Sequence, residues 1–417
     1  MSARTARICV IRCHYYRDTR LQREVSAMLD RGHAVHVLCL RDAEEPIRES
    51  RNGLTITRIP FAHRAGAGNV RRLAEYAAFF VLAGVLVTAL HLRRRLDLVQ
   101  VNSVPDALVF AAVVPRMTGA RVVLDLQEPF PEFFAARSGV EAGHWMVRLI
   151  GRMEQLSIRF ADAVVTVTEP MRQVFIERGA SPEKITVVMD GSDDRTFDPH
   201  RHPRRPRDRD RFVLVSHGTI EPHYGLDTAI RAVAGLSSVV PSIELHIVGD
   251  GSQRAELQRL AVGLGVADQV HFSPGFVPID ELVARLADAD LGIVAMTRNP
   301  FRDLTLAGKM FDFITMGVPM VVSTTRSVQS AFPPGCFEPF VADDARDLAK
   351  AIVRVYANPT TAKAQATRAR EVARPYSWAA QRERYHEVID AQLGRGRRQV
   401  QVVSASAEMA LTLPETG

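Results

Sequence analysis

The stretch Leu306-Ala-Gly-Lys309-Met-Phe-Asp312-Phe-Ile-Thr-Met-Gly317-Val-Pro319-Met-Val-Val decides the fold. It predicts a loop, a helix of about two turns that opens with Gly308 and Lys309 and ends at Gly317, and a buried strand. A helix N-terminus collects free N–H groups and positive charge, and Lys309 adds a full charge, so a phosphate suits this position. Asp312 could accept hydrogen bonds from the vicinal hydroxyls of a ribose. The stretch therefore indicates a nucleotide site; the alternative is an ordinary helix–strand corner with a solvated lysine.

Short β-branched runs alternate with helical segments in two halves of the chain. The predicted strands of the first half are Ile8–Ile11, Ala34–Cys39, Leu98–Asn102, Val122–Asp125, Ala163–Thr168 and Ile185–Met189. Those of the second half are Phe212–Ser216, Ile243–Val248, Val270–Ser273, Leu291–Ala295 and Met320–Ser323. Continuous apolar runs separated by helices are typical of parallel sheets covered on both faces. We expect an α/β protein with two doubly wound domains that face each other across a cleft, where ligands bind.

The segment 198–211 separates the two halves. It is rich in proline and arginine, which predicts a linker between an N-terminal domain, 1–197, and a C-terminal domain, 212–375. Residues 376–394 predict a last helix with Ser377 as its N-cap. We expect 395–417 to be disordered and interpret the terminal Leu-Pro-Glu-Thr-Gly, a sortase recognition sequence, as an engineered tag.

The composition narrows the class of protein. The chain has 417 residues and a formal net charge of +6, almost all of its positive charge coming from arginine. A net positive charge is typical of proteins that bind nucleic acid, an anionic membrane or phosphate-bearing substrates. The sequence has no basic patch interleaved with aromatic residues, so we discount nucleic-acid binding. The four cysteines lack metal-type spacing, so no metal site is predicted. No secretory signal is visible, and we expect a cytoplasmic protein.

One apolar segment departs from the soluble pattern. Ala77–Leu90 carries no charge, lies within a predicted helix of about 74–92, and is flanked by Arg71, Arg72 and a run of three arginines at 93–95. Its fourteen residues would measure about 21 Å as a helix, against about 30 Å for a hydrocarbon core, so we expect it not to span a membrane. It is either a core helix or an interfacial helix on an anionic membrane. The segment 145–156 mixes apolar residues and arginine at helical spacing and leaves the same two alternatives.

Several motifs in order resemble the retaining glycosyltransferases of family 4, which have the GT-B fold, over most of residues 7–390. In the first half these are Arg17-Asp-Thr-Arg20, Gly32-His-Ala-Val, Val101-Asn102-Ser103-Val-Pro105-Asp106, Leu124-Asp125-Leu-Gln127-Glu128 and Val188-Met-Asp190-Gly. In the second half they are Ser216-His-Gly218-Thr219, Tyr224-Gly225, Ile247-Val-Gly249-Asp-Gly251 and Gly275-Phe276-Val277-Pro278. A recognisable subgroup of the family carries a lysine on the donor helix, as Lys309 does. The resemblance implies that the last helix crosses back onto the first domain.

The resemblance also implies roles for individual residues. Asp312, five positions before the glycine of a Gly-x-Pro sequence, would bind the nucleotide ribose, and Lys309 would stabilise the leaving diphosphate. The remaining donor-binding residues would be Gly218, Thr219, His223, Tyr224, Gly275, Phe276, Val277, Thr305, Leu306 and Gly308. On the acceptor side, Gln127 and Glu128 would be catalytic, Glu128 as a base, and Asp18 and Asn102 would bind the acceptor. No cofactor is implied.

The implied partners are a nucleotide diphosphate sugar and a glycan acceptor, lipid-linked at the inner membrane face if the apolar helix docks there. This chain departs from the family at several positions. Gln127 stands where a histidine is usual, Leu304 stands where the first of two glutamates falls, and Thr219 and Tyr224 stand where many relatives place arginine and lysine. The alternatives are an inactive GT-B protein that binds nucleotide sugars at the membrane, and a GT-B epimerase or phosphorylase.

Overall fold

The computed structural model describes residues 5–13, 15, 18–41, 45–60, 69–204, 211–240 and 242–394, without the side chains of 69–73. The predicted tail 395–417, the middle of the predicted linker, and the side chains of Arg71 and Arg72 lie outside the described residues, as does Arg17. Two separate sheets form the framework, and each is covered by helices on both faces. The fold is therefore the expected pair of doubly wound α/β units.

The first sheet has eight strands in the order β3-β4-β2-β1-β5-β6-β7-β8. The strands are β1 (Arg7–Ile11), β2 (Ala34–Leu40), β3 (Arg48–Arg51), β4 (Leu54–Ile59), β5 (Leu98–Asn102), β6 (Arg121–Leu126), β7 (Ala163–Thr166) and β8 (Ile185–Val187). All neighbours pair in parallel except β3 and β4. The helices of this half are α1 (Thr19–Asp30), α2 (Asn69–Arg94), α3 (Val113–Met117), α4 (Phe130–Ser138), α5 (Trp145–Phe160) and α6 (Glu169–Glu177).

The second sheet has six strands in the order β11-β10-β9-β12-β13-β14, all parallel. The strands are β9 (Phe212–His217), β10 (Ile243–Val248), β11 (Val270–Phe272), β12 (Leu291–Val294), β13 (Met320–Ser323) and β14 (Glu338–Phe340). The helices are α7 (Leu226–Ala234), α8 (Arg254–Gly263), α9 (Ile279–Ala287), α10 (Gly308–Met316), α11 (Arg326–Ala331), α12 (Ala345–Ala357), α13 (Pro359–Val372) and α14 (Trp378–Gln392).

The hairpin β3–β4 was not predicted. Its turn is Asn52-Gly53, and both residues have positive φ, 44° and 83°. Asn-Gly between two extended runs is the sequence signature of a two-residue hairpin turn, because both central residues of such a turn need positive φ. The strand β4 is half-buried, with Leu54 and Ile56 facing the core. The Asn-Gly signal was present in the sequence, but β3 is polar and was therefore not recognised as a strand.

The last helix, α14, packs on the first sheet rather than on the second. Ile389 and Tyr385 lie in the apolar layer that α1 forms on one face of the first sheet. The Oγ of Ser377 accepts a hydrogen bond from the backbone N–H of Ala380 at 3.4 Å, so the predicted N-cap is confirmed. The chain thus returns to its first half before it ends.

The apolar helix α2 is longer than predicted. It has 26 residues, and by length and composition alone the part Ala74–Arg94 could cross a membrane, so the argument that the segment is too short was wrong. Phe79, Ala83 and Val87 are buried in the core of the first sheet. These residues repeat every four positions, which gives the helix one packed face. Its opposite face remains exposed, with Val81 58% and Val85 62% accessible.

Candidate functional site

The helix α10 begins at Gly308 and ends before Gly317, whose φ of 69° gives a left-handed C-cap, as the sequence predicted. It follows β12 and precedes β13, so its N-terminus lies at the carboxyl ends of the second sheet's strands. Lys309 is only 8% exposed, and its Nζ lies 4.3 Å from the centre of the Tyr224 ring. Burial, together with the charge of Arg302, lowers the pKa of Lys309 to about 7.

Asp312 lies one turn further along the same helix. Its Oδ1 accepts a hydrogen bond from Ser192 Oγ at 2.8 Å, and its Oδ2 lies 3.6 Å from His217 Nε2. Burial raises the pKa of Asp312 to about 7 and lowers that of His217 to about 3, so His217 is neutral at physiological pH. The close contact is therefore not an ion pair. His217 was missed by the sequence analysis, although it ends the strand before the predicted phosphate loop.

The loop after β9 allows a close approach of backbone groups. Gly218 has a φ of 105°, and a Cβ placed on the neighbouring Gly249 would lie 1.8 Å from the Gly218 carbonyl oxygen. A Cβ on Gly218 itself would lie 3.9 Å from Lys309 Cε. Thr219 is exposed beside it. Gly218 and Lys309, both expected to be donor-site residues, thus lie close together in the structure.

His223, one of the expected donor-binding residues, is uncharged in this structure. Burial and the charges of Arg302 and Lys309 lower its pKa to about 3, so the imidazole is neutral. Its ring lies 4.6 Å from that of Tyr224 and 6.0 Å from that of Phe301, centre to centre. In this structure His223 is part of an aromatic wall.

Arg302 is a site residue that the sequence analysis missed. It is 6% exposed, and its Cζ lies 4.8 Å from the centre of the Tyr224 ring and 4.5 Å from that of Phe301. Its Nη1 donates to Thr305 Oγ1 at 3.3 Å. The expected donor residues Thr305 and Leu306 follow it in the loop before α10. No local motif marks Arg302, because its importance depends on the ring of Tyr224, which comes from another loop.

The predicted base-binding turn lies after β11. Ser273 Oγ donates to the Gly275 carbonyl oxygen at 2.6 Å and accepts from the Gly249 N–H at 2.9 Å. Phe276 is 70% exposed, and Val277 packs partly on the core. The turn is thus fixed to the neighbouring loop after β10, and it presents an open aromatic face.

On the opposite side of the cleft, Gln127 is held by two partners. Its Nε2 donates to Asp125 Oδ2 at 2.8 Å, and its Oε1 accepts from Arg12 Nη2 at 3.0 Å. Arg12 Nε also lies 2.9 Å from Asp18 Oδ2, while Asp18 Oδ1 caps α1 by accepting from the Leu21 N–H at 2.9 Å. These contacts fix the orientation of the Gln127 amide and give Asp18 a structural role.

Asn102 does not reach the cleft surface. It is fully buried, its Nδ2 donates to Asp125 Oδ2 at 2.7 Å and Glu24 Oε2 at 3.1 Å, and its Oδ1 accepts from Gln100 at 3.1 Å. The expectation of direct acceptor binding does not fit this position, because both polar ends of the amide are engaged. Asn102 instead supports Asp125, which holds Gln127.

Glu128 lies between groups from both halves. Burial raises its pKa, and the charges of Arg12, Arg302 and Arg137 oppose that rise. A carboxyl group with a raised pKa is better able to accept a proton near neutral pH than an exposed one. The environment therefore fits the predicted base.

Leu304, which stands where relatives have a glutamate, joins the two halves. It is 5% exposed and belongs to the apolar core of the first sheet. Its carbonyl oxygen accepts a hydrogen bond from Thr168 Oγ1 at 2.5 Å. Nearby, Phe301 and Phe133 of α4 meet edge to face, with ring centres 5.3 Å apart. The position has a packing role here that a carboxylate could not fill.

Three potential metal ligands, Glu244, His246 and His271, group on β10 and β11. Glu244 is already paired with Arg211, and a second cation, Arg285, lowers the pKa of His246 together with burial. The group lies along the strands rather than at their carboxyl ends, so it is not part of the cleft.

Comparison with known proteins agrees with this arrangement. The structure superposes on sucrose-phosphate synthase from Thermosynechococcus elongatus with a TM-score of 0.75 at 18% identity, covering 94% of this chain and all of the other. Anabaena HepE in complex with UDP superposes with a TM-score of 0.66 at 15% identity, covering 93% of this chain and all of the other. Residues 18–191 match the family described as glycosyl transferase 4-like domain, and residues 211–358 match glycosyl transferases group 1. The chain has the GT-B fold, and its two halves match two glycosyltransferase domain families.

The curated relatives of this chain are named for different acceptors. It is 32% identical over 216 residues to the GDP-mannose-dependent alpha-(1-6)-phosphatidylinositol monomannoside mannosyltransferase of Mycolicibacterium smegmatis, covering 49% of this chain and 56% of the relative. It is 27% identical over 262 residues to the D-inositol 3-phosphate glycosyltransferase of Thermomonospora curvata, covering 58% and 59%. It is 27% identical over 256 residues to the 2-deoxystreptamine glucosyltransferase of Streptomyces kanamyceticus, covering 57% and 63%. The chain spans less than two thirds of the length of each.

Proposed function

We propose that this protein is a retaining glycosyltransferase that moves a sugar from a nucleotide diphosphate sugar to a glycan acceptor, in polysaccharide or glycolipid synthesis. The observation that carries the proposal is the pairing of Lys309 with Asp312 at the start of α10. A buried cation suits a diphosphate, and a carboxylate one turn away suits a ribose. We place this enzyme in the subgroup of family 4 that carries lysine on the donor helix.

The proposed reaction does not require a nucleophilic side chain of the protein. In retaining transfer the diphosphate leaves from the face that the acceptor attacks, so the enzyme must align the two substrates and stabilise the charge that grows on the phosphate. Lys309, the N–H groups at the start of α10 and the loop at Gly218 would carry the charge. Gln127 is half-buried and, unlike Asn102, keeps one amide N–H beyond its bonds to Asp125 and Arg12, so it would hold an acceptor hydroxyl, and Glu128 would receive the proton of that hydroxyl. The mechanism uses no metal ion or cofactor.

We propose a lipid-linked acceptor, because the first half presents an apolar and basic surface. Helix α2 contacts α3, and α2, α3 and α5 all contact the short 3₁₀ segment Asp106–Ala112. They expose Val81, Leu82, Val85, Leu92, Val113, Met117, Trp145, Leu149 and Leu156. Exposed arginines on the same helices are Arg93, Arg94, Arg116, Arg148, Arg152 and Arg159. We call these residues the docking surface.

The docking surface has the composition of an interfacial membrane contact. Apolar side chains can enter the acyl region, while arginine binds anionic headgroups. The buried face of α2 keeps the helix on the first sheet, which favours lying on a membrane over crossing one. We therefore propose peripheral attachment to the cytoplasmic side of the cell membrane. The relative from Mycolicibacterium smegmatis, named above as a phosphatidylinositol monomannoside mannosyltransferase, is consistent with a lipid acceptor.

The test is a panel of nucleotide sugars with purified protein, measuring release of nucleoside diphosphate with and without membrane lipid extract, and with inositol phosphate or an aminocyclitol as soluble acceptors. We expect release from one donor, stimulated by lipid. Interconversion of the donor without release would identify an epimerase, and binding without turnover would identify the inactive alternative. If only a soluble acceptor stimulates release, the proposal of a lipid-linked acceptor is wrong.

A further inference from the structure

We propose that Arg302 binds the diphosphate of the donor and replaces the cations that relatives carry at the positions of Thr219 and Tyr224. The inference rests on the proposed function, because it assigns a new residue to the donor site. Arg302 lies in the loop between β12 and α10, so the replacing charge comes from a different segment of the chain. Its partner in the site is Lys309, at the start of α10.

Arg302 forms no direct ion pair with a carboxylate among the described residues, and Glu128 acts on it only from beyond ion-pair distance. Among the described residues, no aspartate or glutamate oxygen lies within 4 Å of its guanidinium, and its buried Nε has no hydrogen-bond acceptor. Lys309 likewise has no carboxylate within ion-pair distance there. Two buried cations without counter-ions are costly in a protein interior. Their presence side by side therefore points to an anion that binds between them.

Three other arginines, the buried Arg20 and Arg58 and the half-buried Arg178, show how a guanidinium is paired with carboxylates elsewhere in the chain. Arg20 lies 3.0 Å from Glu24 and 3.3 Å from Asp125. Arg58 lies 3.1 Å from one glutamate and 2.9 Å from another, and Arg178 contacts two as well. Each of these three guanidinium groups is neutralised by two carboxylates. Arg302 is nearly as buried as Arg20 and Arg58 and more buried than Arg178, but it faces aromatic rings instead.

Tyr224 brings the two cations together. Its ring centre lies 4.8 Å from Arg302 Cζ and 4.3 Å from Lys309 Nζ, so both cations pack against one residue. The ring holds the guanidinium by cation–π attraction, and the Tyr224 side chain also forms a hydrogen bond with it. One N–H of Arg302 goes to Thr305. A guanidinium has five N–H groups in a planar fork, which matches the oxygens of a phosphate.

The position fits the missing family cation. Tyr224 stands where relatives place a lysine, and the guanidinium of Arg302 covers that ring. Lys309 Cε lies 3.9 Å from where a Cβ on Gly218 would be, at the end of the phosphate-facing loop. The site is thus bounded by a glycine loop on one side and two cations on the other. The negative charge of a bound diphosphate would balance the positive charges of Arg302 and Lys309.

The test compares a nucleoside diphosphate with its nucleoside. GDP, UDP and ADP are first screened by calorimetry to find the diphosphate that wild-type protein binds, and the matching nucleoside is the phosphate-free probe. Arg302→Gln should weaken diphosphate binding at least tenfold, leave nucleoside binding unchanged and flatten the salt dependence of affinity. Arg302→Lys should restore part of the loss. Arg298→Gln, an exposed arginine in the same loop, is the control for net charge and should bind as wild type does.

The outcomes separate the inference from the proposed function. Unchanged diphosphate affinity in Arg302→Gln would overturn the inference, and so would equal losses for diphosphate and nucleoside, since these indicate a purely structural clamp on Tyr224. Wild-type protein that binds no nucleoside diphosphate would overturn the proposed function itself, and this inference with it. Thermal melting tests whether each variant is folded. If Arg302→Gln is unfolded, the test uses Arg302→Lys, which should prefer the diphosphate over the nucleoside less strongly than wild type does.

Discussion

Tyr385 in the last helix donates a 2.6 Å hydrogen bond to Gln100 Oε1 in β5, 285 positions earlier in the chain. Both side chains are completely buried. Gln100 Nε2 in turn donates to Glu24 at 2.8 Å and Asn102 at 3.1 Å. Through Asn102 and Asp125 this buried polar network reaches Gln127 on the acceptor side of the cleft. The last helix therefore anchors the layer that orients a candidate catalytic residue.

Tyr385→Phe should destabilise the protein. The substitution keeps the ring but leaves the buried Gln100 oxygen without its donor, which costs about 1–3 kcal/mol. The measurement is urea unfolding. Tyr376→Phe is a matched control, because the Tyr376 hydroxyl is only partly buried and donates a longer 3.3 Å bond to a backbone oxygen. Equal stability of Tyr385→Phe and wild type would show that the bond is not formed.

Asp312→Ala should weaken nucleoside diphosphate binding by about tenfold or more, since a charge-assisted hydrogen bond contributes about 1.5–3 kcal/mol. Calorimetry with ribose and 2′-deoxyribose forms of the same nucleotide isolates the contact. Wild type should prefer the ribose form, and the variant should lose that preference. An Asp312→Ala protein that still discriminates between the two sugars would contradict the assignment.

Lys309→Ala should depress turnover more than substrate binding. Negative charge grows on the leaving diphosphate as the sugar bond breaks, so a cation placed there acts most strongly in the transition state. Steady-state kinetics with the active donor measure kcat and KM separately. The proposed mechanism fails if KM rises while kcat is unaffected, because Lys309 would then serve binding alone.

The affinity for the nucleoside diphosphate should be greatest near pH 7. The free Lys309 has a pKa of about 7, and a bound diphosphate favours its protonated form. Above pH 7 binding must take up a proton, so affinity falls by up to tenfold per pH unit until the raised pKa of the complex is reached. Below pH 7, Asp312, with a pKa of about 7, becomes protonated and loses its charge-assisted bonds to the ribose.

Lys309→Ala should abolish the alkaline fall and retain the acid one, and Asp312→Asn should do the reverse. Calorimetry across pH 5–9 measures both limbs; a terminal phosphate itself loses charge below about pH 6, and the analysis must include this. An alkaline fall that persists in Lys309→Ala would assign it to another group.

The docking surface should hold the protein on anionic vesicles. Replacing Val81 and Val85, which are exposed, by glutamine should release it in sedimentation assays without changing its melting temperature. Glutamine at buried Val87 is the control and should destabilise the first half instead. Wild-type binding should weaken, without vanishing, as salt rises. If the wild-type protein does not bind anionic vesicles at low salt without detergent, the docking claim is wrong.

Local sequence patterns were sufficient to predict much of this fold. The strands alternate with helices as the apolar runs indicate, and α10 ends at Gly317 because a glycine is needed for its left-handed cap. The two faces of α2 could not be separated by sequence, because core-facing Phe79 and exposed Val81 are equally apolar. Pattern gives the period of a helix but not which neighbour covers each side.

The site was less accessible to sequence reasoning. Lys309 and Asp312 share one short helix, so their proximity follows from spacing alone. Arg302 and His217 acquire their roles from contacts between distant segments: no local motif marks Arg302, and the motif that contains His217 does not indicate its contact with Asp312. Asn102 ends a strand at the cleft, as predicted, but it points inward to Asp125. End-of-strand position places a residue near the site without fixing the direction of its side chain.

The contact of Leu304 with the first half has a mechanical consequence. Leu304 is inserted in the first sheet's core, and its loop also carries Arg302 and Thr305. If the two halves were to swing apart, they would pull on this loop or withdraw the leucine from its pocket. Either movement would displace the guanidinium from the ring of Tyr224. Opening of the protein and dismantling of its cation pair would thus be a single event, and product could leave without a separate release step.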